Sequence, residues 1–195
     1  MLIRRLSYSL VLFGSLSTVG LLVSPHLQRE IVVRSPAGLT ERVHLNQLSS
    51  TEFVGFRNDQ VFRLSWSTPF TFVVFLSGAE CSSCLEEAED WSRLAGLAPG
   101  RLRVLAVAVH TTREDIQAFL DFRPANYQVL RFRSAVDETA TGIGALTPLK
   151  VLLDAGGRVR LAAGPLWGVR AHEEFYSRVN KTVFGTRPST ISELF

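Results

Sequence analysis

The stretch Phe70-Thr71-Phe72-Val73-Val74-Phe75-Leu76-Ser77-Gly78-Ala79-Glu80-Cys81-Ser82-Ser83-Cys84 decides the fold. Its first seven residues form a nearly continuous apolar run rich in aromatic and β-branched side chains. Such a run suits a strand covered on both faces, as in a central parallel sheet. Ser77-Gly78-Ala79 then breaks it. From Cys81 to about Leu97 the apolar residues fall at Leu85, Ala88, Trp91 and Leu94 or Ala95, which is helical spacing. Pro99-Gly100 ends that helix. The two cysteines therefore sit where a buried strand gives way to an amphipathic helix.

That position has chemical consequences. The thiolate is the reactive form of cysteine, and a helix N-terminus offers unpaired N–H groups and the positive end of the dipole to an anion. Cys81 is placed to benefit. Cys84 lies one helical turn on, so the two sulfurs can form a small disulfide ring without moving the backbone. In this chemistry Cys81 attacks a partner's disulfide and Cys84 resolves the mixed disulfide. Three other meanings of the pair compete. A purely structural disulfide would close too short a loop to stabilise much. Half of a zinc site would need further ligands, yet there is no second CxxC and the four histidines are singletons. The third is a coincidental pair of buried, inert thiols.

Outward from the cysteines the elements alternate. Val61 to Trp66 alternates as a half-buried strand. Val104 to Val109 predicts a second buried strand, and Thr112 with Asp115 caps the following helix, whose inner face is Ile116, Phe119 and Leu120. Gln128 to Phe132 predicts a third strand and Asp137 to Ile143 a short helix. Leu149 to Leu153 and Val159 to Ala163, joined by Asp154-Ala155-Gly156-Gly157, read as an antiparallel hairpin. The last helix places Phe175, Val179 and Val183 four apart and ends at Gly185. Strands alternating with helices, then a hairpin and a closing helix, predict an α/β sandwich with a mixed sheet. His110 ends a strand parallel to the one before Cys81; a loop role suits it better than catalysis.

The N-terminal third differs. Met1-Leu2-Ile3-Arg4-Arg5 precedes Leu6 to Val23, a run of 18 residues with no charge, near the lower bound for spanning a bilayer. Basic residues ahead of an apolar run keep the N-terminus in the cytoplasm and export the remainder. The sequence Leu22-Val23-Ser24-Pro25 lacks a clear small-x-small cleavage site, which favours an uncleaved anchor over a cleaved signal. Residues 1–24 are thus the anchor or signal segment. Residues 25–60 are a polar linker with a possible β-hairpin from Ile31-Val32-Val33 and Val43-His44-Leu45. Residues 61–184 are the folded domain, and 185–195 a loose tail. The chain has 195 residues, 46% of them hydrophobic, enough for a core that needs no disulfide staples. Its formal charge of +3 comes almost entirely from arginines, scattered among acids, so nucleic acid is not implied.

These residues resemble the thioredoxin superfamily, and in particular its TlpA/ResA-type membrane-anchored branch. The matching text is Phe72-Val73-Val74-Phe75-Leu76-Ser77-x-x-x-Cys81-x-x-Cys84-Leu85-x-Glu87, followed by Thr147-Pro148-Leu149-Lys150-Val151-Leu152-Leu153-Asp154-x-x-Gly157. A helix-plus-strand unit between them, roughly residues 112–133, is shared with the TlpA and peroxiredoxin branches. The resemblance implies a thioredoxin-like three-layer sandwich with a mixed central sheet, preceded by the N-terminal transmembrane anchor. It implies a cis Pro148 packed against the cysteine pair, and a Thr147 whose backbone receives the partner's chain as an added strand. Departures are informative. Glu80 stands where the family usually has Trp, beside the nucleophile, and works against the helix dipole. Phe75 stands where thioredoxins proper carry a buried Asp that moves the proton of the second cysteine. Glu87 is a substitute for that Asp or else a solvated helix residue.

The implied activity is thiol–disulfide exchange on protein disulfides outside the cytoplasmic membrane, as a reductant in cofactor or cytochrome maturation. The redox-active Cys81–Cys84 disulfide takes the place of any cofactor. Protein thiols and a membrane electron donor would be its partners, with the domain on the periplasmic side of a single-pass anchor. The alternative is a redox-inactive thioredoxin-like scaffold in a membrane complex. A peroxidase of the peroxiredoxin kind fits less well, because Gly78 occupies the place of the Thr or Ser before its peroxidatic cysteine.

Overall fold

Gly78 marks the hinge between the first buried strand and the first long helix, and its backbone shows why the chain turns there. It adopts φ +88°, and a Cβ would stand 2.5 Å from Thr111 Oγ1. Only glycine lets the loop before Cys81 pass so close to the start of the next helical unit. The computed structural model describes residues 30–34, 40–44, 48, 50–65, 67–78, 81–97, 99–143, 147–166 and 168–185. The expected anchor over residues 1–24 and the tail beyond Gly185 lie outside the described residues. So do Glu80 and Trp66. Among the described residues no helix is long and apolar enough to cross a membrane.

Two short strands, β1 (Glu30–Arg34) and β2 (Thr40–His44), pair antiparallel with Glu30 opposite His44. The main sheet is built from β3 (Glu52–Gly55), β4 (Val61–Arg63), β5 (Phe70–Leu76), β6 (Leu102–Ala108), β7 (Gln128–Phe132), β8 (Leu149–Asp154) and β9 (Val159–Ala163). Their order is β4-β3-β7-β6-β5-β8-β9. β5, β6 and β7 are parallel, whereas β8 runs antiparallel to β5, so the sheet is mixed. The half-buried strand expected to run to Trp66 is shorter, ending at Arg63. The sheet also takes in β3, N-terminal to the alternation that begins at Val61.

Among the described residues the helices are α1 (Ser82–Leu97), α2 (Arg113–Phe122), α3 (Ala135–Ala140) and α4 (Val169–Phe184). The short helix expected over Asp137–Ile143 starts earlier because Ser134 caps it, accepting from the Val136 N–H. Thr112 and Asp115 form the reciprocal capping box on α2.

The crossovers β5-α1-β6 and β6-α2-β7 step across the sheet in the same direction. Right-handed connections therefore put both helices on one face. On that face Phe72, Val74, Leu76, Val104, Ala106 and Leu152 meet Ala88, Trp91, Ile116, Phe119, Phe175 and Val179. Val73, Phe75, Leu105, Val107, Leu149 and Val151 point to the other face, which Leu48, Leu64 and Ile143 help to close among the described residues. The expected sandwich is thus uneven, with three helices sharing one side. Each fully buried side chain of this class contributes roughly 1.5–3 kcal/mol.

Candidate active site

Cys81 precedes the first residue of α1 and acts as its N-cap. Its carbonyl accepts the first helical hydrogen bond, from the Leu85 N–H at 3.1 Å. The Cys84 N–H, at the third helical position, points at Cys81 Sγ from 3.2 Å. The sulfur thus occupies the place an N-cap oxygen takes, at the positive end of the helix. The Cys81 N–H donates to the Gly78 carbonyl at 3.2 Å, which fixes the cap to the glycine hinge.

Cys81 and Cys84 are joined in a disulfide with their Cα atoms 5.1 Å apart. The alternative of two inert thiols therefore fails. No group of three or more His, Cys, Asp or Glu residues that could hold a metal occurs among the described residues. Cys84 is fully buried, while Cys81 is half-buried. Of the two, only Cys81 keeps some exposure to solvent.

Thr147-Pro148 forms a cis peptide, and Pro148 is buried. The Thr147 carbonyl oxygen lies 3.7 Å from Cys81 Sγ. Thr147 Oγ1 is 2.7 Å from Ser77 Oγ, at the end of β5. The loop before β8 is therefore tied to the same strand end that carries the cysteines, with Thr147 beside the accessible sulfur.

Glu87 is not a solvated helix residue. It lies in the core on the face of α1 that also buries Cys84, Ala88 and Trp91. Its Oε1 accepts from Lys150 Nζ at 2.7 Å, and its Oε2 accepts from the Tyr176 hydroxyl at 2.9 Å. Tyr176 in turn accepts from Trp91 Nε1 at 2.9 Å. Burial pushes the Lys150 ammonium down to about 8 against the pull of Glu87. Burial, reinforced by the Glu87 charge, pushes the Tyr176 hydroxyl well up. Phe75, at the position compared with a buried Asp, faces the opposite core. Helix α1 itself thus supplies a buried carboxylate.

Sequence reasoning gave no role to Lys150, Tyr176 or Ser77. Lys150 had a signal: a lysine inside the otherwise apolar run Leu149–Leu153, of which every residue is buried. Tyr176 had none beyond its place beside Phe175 on the inner face of α4. His110 is occupied elsewhere. Its Nε2 donates to the Ile143 carbonyl at 2.8 Å and its backbone N–H donates to Glu138 Oε1.

No family model matches the sequence, and no curated protein matches it. Solved structures do match. A secreted disulfide oxidoreductase of Mycobacterium tuberculosis, homologous to E. coli DsbE, superposes with a TM-score of 0.56 at 18% identity, over 69% of this chain and 96% of that one. A thiol:disulfide interchange protein from Bacteroides sp. gives 0.57 at 16% identity, over 72% and 90%. The exposed lipoprotein thioredoxin Etrx1 of Streptococcus pneumoniae gives 0.52 at 19%, over 67% and 97%. At such identities the likeness is one of fold. The fold is thioredoxin-like, and it presents a disulfide-bonded CxxC pair at the head of a helix, the arrangement a thiol–disulfide oxidoreductase requires.

Proposed function

We propose that the chain is a thiol–disulfide oxidoreductase that acts on protein disulfides, with Cys81 as the attacking sulfur and Cys84 as the resolving one. The observation that carries this is the asymmetry of the pair: one sulfur half-exposed beside the Thr147 carbonyl, the other fully buried one turn along α1. Pro148, cis and buried, would pack against the cysteine pair, and Thr147 would offer backbone to an incoming extended segment. Glu80 immediately precedes the nucleophile in the sequence.

The exchange needs no added cofactor, since the disulfide itself stores the two electrons. The basic start and uncharged run of residues 1–23 support export and a single-pass anchor, with the domain on the periplasmic side. Two of the similar structures are, respectively, secreted and an exposed lipoprotein, which agrees with that placement. In such a setting the chain would draw electrons from a membrane donor and reduce protein disulfides to thiols for cofactor or cytochrome maturation.

Trapping tests the mechanism. In a Cys84→Ser variant the mixed disulfide on Cys81 cannot be resolved, so partner proteins should accumulate on it in native extracts. Absence of any adduct that Cys81→Ala abolishes would count against the reading. A redox titration by thiol alkylation then gives the direction. A potential well below the compartment's poise marks a reductant, and one near the strong oxidants marks the reverse. A pair that does not titrate would leave a redox-inactive scaffold.

A further inference from the structure

The strands β5 and β6 begin on one edge of the sheet, and β5 leads to Cys81 at the other. Phe70 lies opposite both Leu102 and Asp154, so the β8–β9 turn shares the edge remote from Cys81. Helices α1 and α2 return the chain toward that edge and end at Leu97 and Phe122. The 16 residues of α1 span about 24 Å at the ordinary helical rise, which sets the separation of the two edges.

The remote edge is apolar and basic at once. Leu97 and Phe122, the closing residues of their helices, are 43% and 66% exposed. Asn126 Nδ2 donates to the Ser92 carbonyl at 2.9 Å, which ties the segment after α2 to the second half of α1. Around them stand Arg57, Arg101, Arg103, Arg123, Arg158 and Arg160. Arg57 donates to the Ala125 carbonyl at 3.4 Å, and Arg103 to Gln128 Oε1 at 2.7 Å. The Arg123 guanidinium lies 5.2 Å over the Phe122 ring. Among the described residues the carboxylates here are Asp121, bonded by Gln117, and Asp154, paired with Arg158 and Arg160. Six cations thus meet two anions. At the Cys81 edge the helix starts are acidic instead, with Glu114 and Asp115 on α2 and Asp137 and Glu138 on α3.

The negative ends of the helix dipoles account for cations just past α1 and α2, such as Arg101 and Arg123. They do not account for Arg57, Arg103, Arg158 or Arg160, nor for two large apolar side chains left in water. We propose that this edge rests on an anionic phospholipid surface, with Leu97 and Phe122 entering the headgroup layer and the arginines meeting lipid phosphates. Contact of this kind adds apolar burial to the attraction between basic residues and acidic lipid. An arginine stacked on an aromatic ring suits it, since the ring goes deeper while the guanidinium stays in the polar layer. The inference rests on the export reading above, in which residues 1–24 keep the domain within reach of a bilayer. Docked so, the domain holds Cys81 roughly 24 Å from the lipid and turned toward the aqueous phase, where a protein disulfide arrives.

The test uses the full chain reconstituted with phosphatidylcholine vesicles whose acyl chains carry bromine, with or without about one-third phosphatidylglycerol. Phe122→Trp places an indole at the edge, and the native chain supplies the baseline emission. We expect bromine to quench the added emission about twofold in anionic vesicles. Neutral vesicles, or about 1 M salt, where screening is nearly complete, should leave it unquenched. Each basic residue at an acidic surface is worth about fivefold. Arg57→Gln/Arg101→Gln/Arg103→Gln should therefore weaken docking about a hundredfold and abolish the quenching. Reaction of that variant with dithiothreitol should stay native, since all three arginines stand at the remote edge. Should the triple variant fail to fold, Arg101→Gln alone should still weaken docking about fivefold. Quenching that is absent in anionic vesicles, equal in neutral ones, or untouched by the arginine changes overturns the proposal, whether the edge is then bare or covered by a second copy of the chain. Flotation separates the two readings. A chain that floats with neutral vesicles but is unquenched in anionic ones keeps its anchor and loses only the docked edge. A chain that floats with neither loses both. One that floats with anionic vesicles alone, and is quenched there, loses the anchor and keeps the edge.

Discussion

Thr147 Oγ1 lies 2.7 Å from Ser77 Oγ, a contact between residues 70 positions apart that ties the loop before β8 to the end of β5. The Thr147 carbonyl in turn lies 3.7 Å from the sulfur of Cys81. One hydrogen bond thus fixes the place where a partner's backbone would meet the reactive sulfur. Replacing Ser77 by Ala removes it and frees the loop. A net hydrogen bond of this kind is worth about 1 kcal/mol, or about fivefold in binding. Ser77→Ala should raise KM for a protein disulfide about fivefold while leaving kcat, and reaction with dithiothreitol, within about twofold. An unchanged KM would mean that the loop needs no tether.

The disulfide contributes little to holding the fold. A loop of four residues gives a chain-entropy stabilisation of about 2 kcal/mol at most, against a core that buries three helices on one side of the sheet. Reducing the pair should lower the free energy of urea unfolding by about 2 kcal/mol or less, and Cys81→Ala/Cys84→Ala should match the reduced protein. A loss above about 4 kcal/mol would make the bridge a structural staple after all.

Much of this arrangement was legible in the sequence because its signals were local. Phe70–Leu76 and Gln128–Phe132 are strands with the expected bounds, and the Thr112–Asp115 cap is in place. The cis Thr147-Pro148 bond was legible only through the resemblance of Thr147–Gly157 to the thioredoxin superfamily. The buried network was not legible in the same way. Glu87, Lys150 and Tyr176 come from α1, β8 and α4, and nothing in their spacing says that they meet. Whether Glu87 faced water depended on α4 closing over α1, which is tertiary packing. Lys150 alone broke a local pattern, since a charge inside Leu149–Leu153 must be paired if the strand is central. The second face of the sheet was the least visible, because Leu48, Leu64 and Ile143 lie in no periodic segment.

Asp154 ends β8 and holds the turn into β9. Its Oδ1 accepts from the Gly156 and Arg158 N–H groups at 2.8 and 3.0 Å, and its Oδ2 accepts from Arg158 Nε at 3.0 Å. Burial works to raise its carboxyl, but these bonds outweigh burial and hold it below the ordinary 3.8. A lowered native value means stability that is present above the unfolded value and lost as pH falls through the folded one. Asp154→Ala should cost about 1–2 kcal/mol for the turn bonds it loses, since water can pair the N–H groups of the exposed Gly156 and Arg158. Asp154→Asn, which keeps the acceptor oxygen, should cost less and should flatten the acid limb below about pH 4. Equal losses in the two variants at pH 7, measured by urea unfolding, would show that charge rather than the turn bonds matters.

Lys150 gives the opposite end of the pH scale a signature. Its ordinary value is 10.5, and burial lowers it to about 8 in the folded chain, with Glu87 opposing the shift. Between these values the unfolded chain binds a proton that the folded chain has released. The contribution of this group to stability therefore rises with pH across that window, is complete above about 10.5, and is lost as pH falls through about 8. The full span is about 3 kcal/mol. Lys150→Met abolishes the effect, because methionine does not titrate. The difference in unfolding free energy between the native chain and this variant should thus change in favour of the native chain from pH 8 to 10, on top of a constant offset from leaving Glu87 without its cation. Unfolding by guanidinium, which also screens surface charge, at pH 7, 8, 9 and 10 measures that difference. A difference that stays constant across the series would mean that Lys150 keeps an ordinary lysine's proton in the core.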